Sequence, residues 1–237
     1  MTPPAEVPPR AVSHAALAEA IADAAQAAAA RAAATGHGVR LAVDGPVAVD
    51  TAALADAVAL ALDRRAVPVA RVRAEQFLRA RSLRLEHGDD DPDAYFDGWY
   101  DLTALRREVL DPLGPGGRQE WLPGLRDPVT DRSLRLPRRP AAPGTVAVVD
   151  GRFLARWEVA DAVDLLVHLD VSPPARARRS EPGEQARLLP AWDRYLEWCD
   201  PAAVAAFAVR YDRPTHPALL ADPSHGRVSG PASPPRR

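Results

Sequence analysis

The chain of 237 residues contains no lysine and no asparagine, so all 30 of its Lys-or-Arg cations are arginines. Together with the richness in alanine and proline, this bias is typical of a GC-rich genome in which lysine has drifted to arginine. One consequence is chemical: no lysine amine is available to any functional site.

Cysteine is almost absent as well, since Cys199 is the only one. An internal disulfide and a cysteine-based metal cluster are therefore excluded, which suits a reducing compartment. No apolar run approaches the roughly 20 residues that span a bilayer, and the proline-rich start lacks a signal-peptide core. The net charge of -2 gives no electrostatic case for nucleic acid or for an anionic membrane as partner. We expect a cytoplasmic protein.

A strand, a glycine turn and a helix are predicted in succession between residues 39 and 64. Residues 41–43 predict a buried strand, Asp44 and Gly45 break it, and residues 51–64 follow a helical pattern. This is the frame of the phosphate-binding loop G-x-x-x-x-G-K-[ST], in which backbone N–H groups and a lysine hold phosphates and a hydroxyl holds magnesium.

The residues that carry the phosphate chemistry of that loop are replaced. Counted from Gly45, the second glycine position is Asp50, the lysine position is Thr51 and the hydroxyl position is Ala52. A register one residue shorter puts Thr51 at the hydroxyl position, but then Asp50 is at the lysine position. Asp is a preferred N-cap, so we expect the Asp50 carboxylate to accept a hydrogen bond from the N–H of Ala52 or Ala53. A bound triphosphate would then meet a like charge.

The rest of the pattern predicts one α/β domain with a doubly wound parallel sheet. Further strands are predicted at residues 67–72, 145–150, 165–171 and 204–209, with helices at 102–110, started by Asp101, and at 190–199. Ligands of such sheets bind beyond the carboxyl ends of the strands, so Gly45, Glu75 and Asp150 should gather there. The predicted domain covers residues 36–222, with a hairpin insertion at 118–144 and an arginine-rich lid at 173–189.

The two ends are predicted to differ from this domain. Residues 1–12 and 223–237 are predicted to be disordered. Residues 13–35 predict an alanine-rich helix, either packed on the edge of the domain or available to a partner.

Several sequence blocks match one family in the same order. The two most specific are residues 110–117 (LDPLGPGG) and 149–154 (VDGRFL); the others are 43–46 (VDGP), 75–79 (EQFLR), 95–97 (YFD) and 210–214 (RYDRP). On these blocks the chain resembles the uridine kinase-like nucleoside kinases, a P-loop fold, and in particular their actinobacterial branch. The resemblance covers residues 38 to 220.

The resemblance implies transfer of the γ-phosphoryl of ATP to a nucleoside 5′-hydroxyl with magnesium, chemistry that consists mostly of positioning and charge neutralisation. Glu75 falls where the family has an aspartate that acts as base on the hydroxyl, and the adjoining acid is Gln76 here. Asp150 falls where a carboxylate helps to hold magnesium, usually through water.

The resemblance also assigns binding residues. Phe96 and Asp97 fall at positions that contact the nucleoside, and Arg79 is grouped with them. The lid carries Arg176, Arg178 and Arg179, and lid arginines contact phosphates in the family. Either Arg79 or Arg178 could reach the phosphates in place of the lost lysine, although the guanidinium fork does not reproduce an ammonium.

Each assignment has a plainer alternative. Glu75 could cap a turn, Asp150 could cap the next helix, Phe96 could belong to the core, and the lid arginines could form a solvated surface. His168 lies in an apolar strand and is predicted to be a core histidine.

Three functions remain open. The favoured one is a protein that binds a nucleoside or nucleotide and has lost, or strongly reduced, its phosphoryl transfer. The second is an active uridine or cytidine kinase with a rebuilt ATP site, and the third is a non-catalytic scaffold. ATP and magnesium are expected as cofactors only if the kinase activity survives. A homo-oligomer or a protein partner is compatible with each of the three.

Overall fold

The structure is a computed structural model that describes residues 10–220. The predicted disorder of residues 1–9 and 223–237 lies outside the described residues. Within them the strands are Arg10–Ala11 (β1), Val39–Asp44 (β2), Val69–Arg73 (β3), Glu120–Trp121 (β4), Arg139–Pro140 (β5), Val146–Gly151 (β6), Leu165–Asp170 (β7), Phe207–Arg210 (β8) and Ala218–Leu219 (β9).

The α-helices of the described residues lie between and after these strands. None of them combines the length and the apolar character needed to cross a bilayer. Their bounds are His14–Ala34 (α1), Thr51–Arg64 (α2), Arg81–Arg84 (α3), Pro92–Gly98 (α4), Leu102–Leu105 (α5), Asp111–Leu113 (α6), Pro173–Arg179 (α7), Gln185–Cys199 (α8) and Pro201–Val204 (α9).

Seven strands form one sheet in the order β1-β9-β8-β7-β2-β6-β3. The five strands from β8 to β3 are parallel, whereas β9 and β1 add antiparallel partners at one edge. The strand β2, which comes first among the parallel strands in the sequence, lies at the centre between β6 and β7. The loop that follows β2 therefore opens at the middle of the carboxyl edge, where doubly wound sheets bind ligands.

Side chains of β2 alternate between two hydrophobic layers. Leu41 and Val43 face a layer built with α1 and α2, and Ala42 faces an aromatic layer built with α4, α5 and α8. Both faces of the parallel strands are thus covered, which is why their sequences are almost continuously apolar.

The alanine-rich helix α1 belongs to this core. Ser13 accepts a hydrogen bond from Ala16 N (3.1 Å) and caps the helix. Leu17 and Ile21 are buried together with five alanines on the same side of the helix, and the small alanines let α1 lie close against α2. The helix bounds agree with the prediction, and one face of α1 is packed on the domain.

Three local predictions are wrong: the start of the last long helix, the start of the last predicted strand and the disorder of residues 10 and 11. The last long helix does not begin at Pro190 but at Gln185, whose amide donates to Ala177 O (2.9 Å) and joins α8 to α7. The predicted lid is therefore made of α7, a 3₁₀ turn at Pro182–Glu184 and the first residues of α8. The strand expected at residues 204–209 begins only at Phe207, because Asp200 caps the short helix α9.

Strand pairing also arranges the insertion and the amino end. Within the insertion, β4 and β5 pair as antiparallel strands, with Trp121 opposite Arg139. Arg10 and Ala11, expected to be disordered, pair with β9. The helix that Asp101 caps (Ala104 N to Oδ1, 2.8 Å) continues as a π-helical turn at Arg106–Leu110.

The close contact between the ends of β6 and β3 can be tested at Gly151. A Cβ at this position would lie 2.5 Å from the Cβ of Ala74. We expect Gly151→Ala to lower the free energy of unfolding by about 1–3 kcal/mol, because overpacking forces the two segments apart. Urea denaturation measures the change. Gly98→Ala is the control, since a Cβ there meets nothing within 4 Å, and equal stability of the two variants would contradict the expectation.

Candidate functional site

The loop after β2 is compact and closes against β6 and the start of α2. Gly45 N donates to Gly151 O (3.2 Å), and Val49 N donates to Pro46 O (3.0 Å). A Cβ on Gly45 would lie 3.0 Å from Thr51 Cγ2 and 3.2 Å from the Cβ of Leu169. A side chain here would have to push these neighbours aside by a few tenths of an ångström. The loop leads directly into α2.

Asp50 caps α2. Its Oδ1 accepts a hydrogen bond from Ala53 N (2.9 Å), one of the two donors that the sequence predicts. The carboxylate also lies at the positive end of the helix dipole, where a phosphate would otherwise be stabilised. The Asp50 carboxylate thus provides the negative charge at the start of α2.

Thr51 joins the start of α2 to the end of β6. Its hydroxyl donates to Asp150 Oδ2 (3.1 Å) in a buried hydrogen bond between α2 and β6. In P-loop NTPases the loop hydroxyl and the strand-end carboxylate hold the same magnesium ion, so this contact favours the shorter register. In that register, the sequence prediction puts Asp50 at the lysine position.

The residues around Asp150 do not fit a magnesium ion. Asp150 Oδ1 lies 2.6 Å from Arg71 Nη1, and Arg71 Nε donates to Asp56 Oδ1 (2.7 Å). A guanidinium on β3 therefore stands against the oxygen that a metal would use. Between residues 10 and 220, histidine, cysteine and carboxylate side chains nowhere form a group of three that could hold a metal.

Glu75 follows β3 and is held by an arginine. Its Oε1 accepts from Arg152 Nη1 (2.7 Å), which also lies 2.7 Å from the Tyr100 hydroxyl. Burial acts to lower the pKa of Arg152, but Tyr100, Tyr95 and Glu75 outweigh it and raise that pKa well above its usual value. Arg152 therefore stays charged, and Glu75 can act on a substrate hydroxyl only if a ligand displaces this partner.

One open pocket of about 350 Å³ collects much of the predicted site. The arginines 73 and 152 line it as well, although they are not among the predicted residues; the only sequence signal for Arg152 is its position directly after the Asp150-Gly151 strand end. The predicted residues that line this pocket are Asp50, Thr51, Glu75, Asp150 and Arg179.

The predicted nucleoside-binding residues lie elsewhere. Phe96 is 0% exposed, with edge contacts to Phe153 and Trp198 and the guanidinium of Arg156 4.5 Å from its ring centre. It occupies the core, which was the plainer alternative. Asp97 lies 3.6 Å from the same guanidinium.

Arg79 is exposed and lines a different pocket. That pocket has a volume of about 510 Å³ and includes Asp101 and Arg126. Arg79 and the loop after β2 therefore do not share a cavity.

The lid arginines face in different directions. Arg176 is buried, pairs with Asp193 (2.7 Å) and donates from Nε to Val171 O (3.2 Å). Arg179 donates to Tyr211 O (3.1 Å) and to Asp212 O, whereas Arg178 is exposed. Two of the three thus hold α7 to its neighbours.

A buried polar group at the end of β2 has no counterpart among the predicted site residues. Asp44 Oδ2 accepts hydrogen bonds from Tyr195 (2.9 Å) and lies 2.8 Å from His168 Nδ1. Burial and the Asp44 charge raise the pKa of Tyr195 well above its usual value, so its hydroxyl stays protonated. His168 is a core residue, as predicted, and stacks on Trp192 with ring centres 6.1 Å apart.

The fold is similar to those of known protein structures, although the sequence comparisons find no match. No family model and no curated protein matches the chain. A Bacillus stearothermophilus protein described as a possible uridine kinase is similar in structure, with a TM-score of 0.61, 19% identity and coverage of 80% of this chain and 98% of that one. A Silicibacter sp. TM1040 protein, provisionally described as a fructose transport system kinase, gives a TM-score of 0.53, 17% identity and coverage of 81% and 91%.

These likenesses show the fold. The chain has a P-loop kinase-like α/β architecture with a mostly parallel sheet and flanking helices, so the predicted fold class is confirmed. Membership of the uridine kinase-like family stays a prediction, as do the roles of the individual site residues.

The capping role of Asp50 predicts a defined loss of stability. We expect Asp50→Ala to lower the free energy of unfolding by about 0.5–2 kcal/mol, because the Ala53 N–H loses its acceptor. Asp50→Asn keeps a capping oxygen and should stay close to the parent. Chemical denaturation of the three proteins checks this order, and an unchanged Asp50→Ala variant would show that the cap is not formed.

The position of Arg71 beside Asp150 predicts that the stability of an Arg71→Ala variant depends on divalent cations. We expect Arg71→Ala to be destabilised, because the buried Asp150 carboxylate loses its compensating charge. Magnesium or manganese should restore part of that stability, measured as a rise in Tm, and should leave the parent unchanged. Arg73→Ala is the control, since Arg73 is exposed and its Nη2 lies 3.5 Å from Asp56. If magnesium and manganese leave the Tm of the Arg71→Ala variant unchanged, the Arg71 guanidinium does not take the place of a metal ion beside Asp150.

Proposed function

We propose that the chain is a uridine kinase-like protein that binds a nucleoside or nucleotide, and that its ATP-dependent phosphoryl transfer to a nucleoside 5′-hydroxyl is lost or strongly reduced. One observation carries the proposal: the chain's own groups fill the donor positions. Asp50 occupies the start of α2, and Arg71 stands against Asp150.

The free-energy cost of these changes for a bound phosphate is large. Two like charges 4 Å apart repel by about 4 kcal/mol at an effective dielectric of about 20, and the absent lysine removes an attraction of similar size. Since each 1.36 kcal/mol in the transition state is about tenfold in rate, the two effects together correspond to several orders of magnitude. Both effects act on the phosphoryl donor.

The acceptor side supports retained binding. Glu75, Arg152 and Tyr100 form a connected set of charged and hydroxyl groups, and Glu75 and Arg152 line the open pocket. Such convergent polar groups suit the hydroxyls of a sugar. The proposal includes a small-molecule ligand in the cytoplasm and excludes nucleic acid and membrane as partners, on the net charge of -2.

A second candidate is an active nucleoside kinase with a rebuilt ATP site. The observation in its favour is that three arginines, Arg73, Arg152 and Arg179, line the open pocket. They would have to take over the role of the lysine, and ATP and magnesium would then be its cofactors. Against it stand three carboxylates in the same pocket, those of Asp50, Glu75 and Asp150.

Calorimetric titration with uridine, cytidine and ATP–magnesium tests the proposal. We expect the parent to bind a nucleoside and not ATP. Asp50→Asn, which keeps the helix cap and removes the charge, should gain measurable ATP affinity, whereas Asp63→Asn near the other end of α2 should not.

The other outcomes separate the alternatives. Micromolar ATP binding by the parent, followed by turnover of uridine, would establish the active kinase instead. No binding of any of these ligands would leave only the scaffold.

A further inference from the structure

A second open cavity lies at the amino edge of the sheet, at the opposite end of the parallel strands from the open pocket. It is lined by Arg40, the second residue of β2, and by residues of the segment 111–117. Gly38 N donates to Leu113 O (2.8 Å), which joins this segment to the start of β2. The segment forms most of the sequence block LDPLGPGG, to which the proposed function gives no role. The volume of the cavity, about 420 Å³, lies within the range of ligand clefts.

The wall of this cavity has a defined shape that is fixed by close contacts. A Cβ on Gly114 would lie 2.5 Å from Arg40 Nη1, and a Cβ on Gly117 would lie 2.2 Å from Pro112 O. A side chain at position 117 would therefore displace the backbone of the segment itself. The Gln119 amide donates to three carbonyl oxygens, each 3.3 Å away, which belong to Pro112, Gly114 and Gly117. The wall is thus preformed around the cavity.

One of the arginines that line the cavity is held in a fixed orientation. Arg40 donates from Nε and Nη2 to the two carboxylate oxygens of Asp164 (2.8 and 2.7 Å), and its side chain is 11% exposed. This bidentate pair fixes the plane of the guanidinium. The remaining nitrogen, Nη1, is the atom that lies against Gly114, so Arg40 presents it at the wall of the cavity.

Three further arginines share a single carboxylate. Arg107 and Arg118, which also line the cavity, lie 2.9 and 3.4 Å from Glu108, and Arg138 lies 2.5 Å from it. Burial acts to raise the pKa of Glu108, but hydrogen bonds from Arg107 and Arg138 outweigh it and hold that pKa below its usual value. Three guanidiniums against one charged carboxylate leave two positive charges in excess. The three arginine side chains are 62%, 44% and 40% exposed, so this excess faces solvent.

The positive charge extends into β5. Arg139 follows Arg138, is exposed and has its guanidinium 5.5 Å from the ring centre of Trp121. A guanidinium on an aromatic ring can still donate hydrogen bonds at its edge. Residues 132–149 contain no carboxylate. The arginine surface, as we name it, consists of Arg40, Arg107, Arg118, Arg138 and Arg139.

We infer that the arginine surface docks an acidic segment of a protein partner. Its guanidiniums have three separate neighbours, namely Gly114, Glu108 and Trp121. Because they are spread in this way, they suit several carboxylates along a chain better than one small anion. Charge-assisted hydrogen bonds between guanidinium and carboxylate hold such a segment. The inference goes beyond the proposed function and does not depend on it, since it concerns the other edge of the sheet.

Carboxylates within the surface favour a protein segment over a nucleic acid. Asp111 lines the cavity with its side chain 54% exposed, and Glu120 is exposed in β4 next to Trp121. The regularly charged backbone of a nucleic acid would be repelled by both carboxylates. A protein segment can place neutral or basic residues opposite them, which gives complementary charge along the whole contact.

Fluorescence anisotropy with a labelled octaglutamate peptide tests the inference, and an RNA of equal length is the competing probe. We expect the parent to bind the peptide more tightly than the RNA, with an affinity that falls as the salt concentration rises, because salt screens exposed charges. The double variant Arg107→Gln/Arg118→Gln should bind the peptide about tenfold more weakly, since two ion pairs with the ligand are lost. Glu108 keeps Arg138 as a partner in this variant, and urea denaturation checks that the variant is folded.

Arg213→Gln is the matched control. Arg213 is exposed and follows β8 at the carboxyl edge of the sheet, so this variant should bind the peptide like the parent. Glu120→Gln provides a change in the opposite direction. It removes a carboxylate from the surface without touching a buried group, and it should tighten peptide binding about twofold, because a like charge is lost.

Three results would overturn the inference: no peptide binding at low salt, equal weakening in Arg213→Gln and the double variant, and tighter binding of the RNA than of the peptide. The last of these, with the same loss in the double variant, would assign the surface to nucleic acid. If the double variant does not fold, Glu120→Gln decides, and unchanged or weaker peptide binding would refute the inference. The nucleoside and ATP titrations test the other edge of the sheet, so failure of the docking surface and failure of the proposed function are observed separately.

Discussion

The site depends on one buried contact, the hydrogen bond from the Thr51 hydroxyl to the Asp150 carboxylate with Arg71 beside it. These three residues begin α2, end β6 and come from β3, so the contact joins the central loop to two strands. A buried carboxylate is stable only when paired and hydrogen-bonded. Here Arg71 pairs with the Asp150 carboxylate and the Thr51 hydroxyl donates to its Oδ2, so both partners come from the chain itself.

The positions where the phosphates and the metal of a phosphoryl donor would bind are occupied by charged groups of the chain itself, which distinguishes them from the surroundings of Arg152. At the helix start the chain has added an anion of its own, and at the strand end a cation of its own, so an entering phosphate or metal must compete with both. Around Arg152 the balance differs, because its partner Glu75 borders the open pocket and its buried Nε has no acceptor.

The arginine-only composition also shapes the interior. Arg156 lies over Phe96, and Arg187 lies 4.4 Å from the ring centre of Trp99, so guanidiniums are built into the aromatic layer. A planar, delocalised cation can stack on rings and still donate at its edge. A guanidinium is also buried in the predicted lid, where Arg176 donates to the backbone oxygen of Val171 and to the carboxylate of Asp193.

Local sequence alone determined the apolar runs of the strands, the helix starts at Ser13, Asp50 and Asp101, and the gathering of Glu75 and Asp150 at one edge of the sheet. The helix starts follow from hydrogen bonds within one turn, and the apolar runs follow from burial of both sheet faces. The meeting of Glu75 and Asp150 follows from parallel strands that end at the same edge. Only the tertiary structure decided the contact of Thr51 with Asp150, the burial of Phe96, the placement of Arg71 against Asp150 and the burial of Arg176. These contacts join residues from different elements, and whether their side chains meet depends on how closely the helices pack on the sheet, a distance that no local pattern encodes.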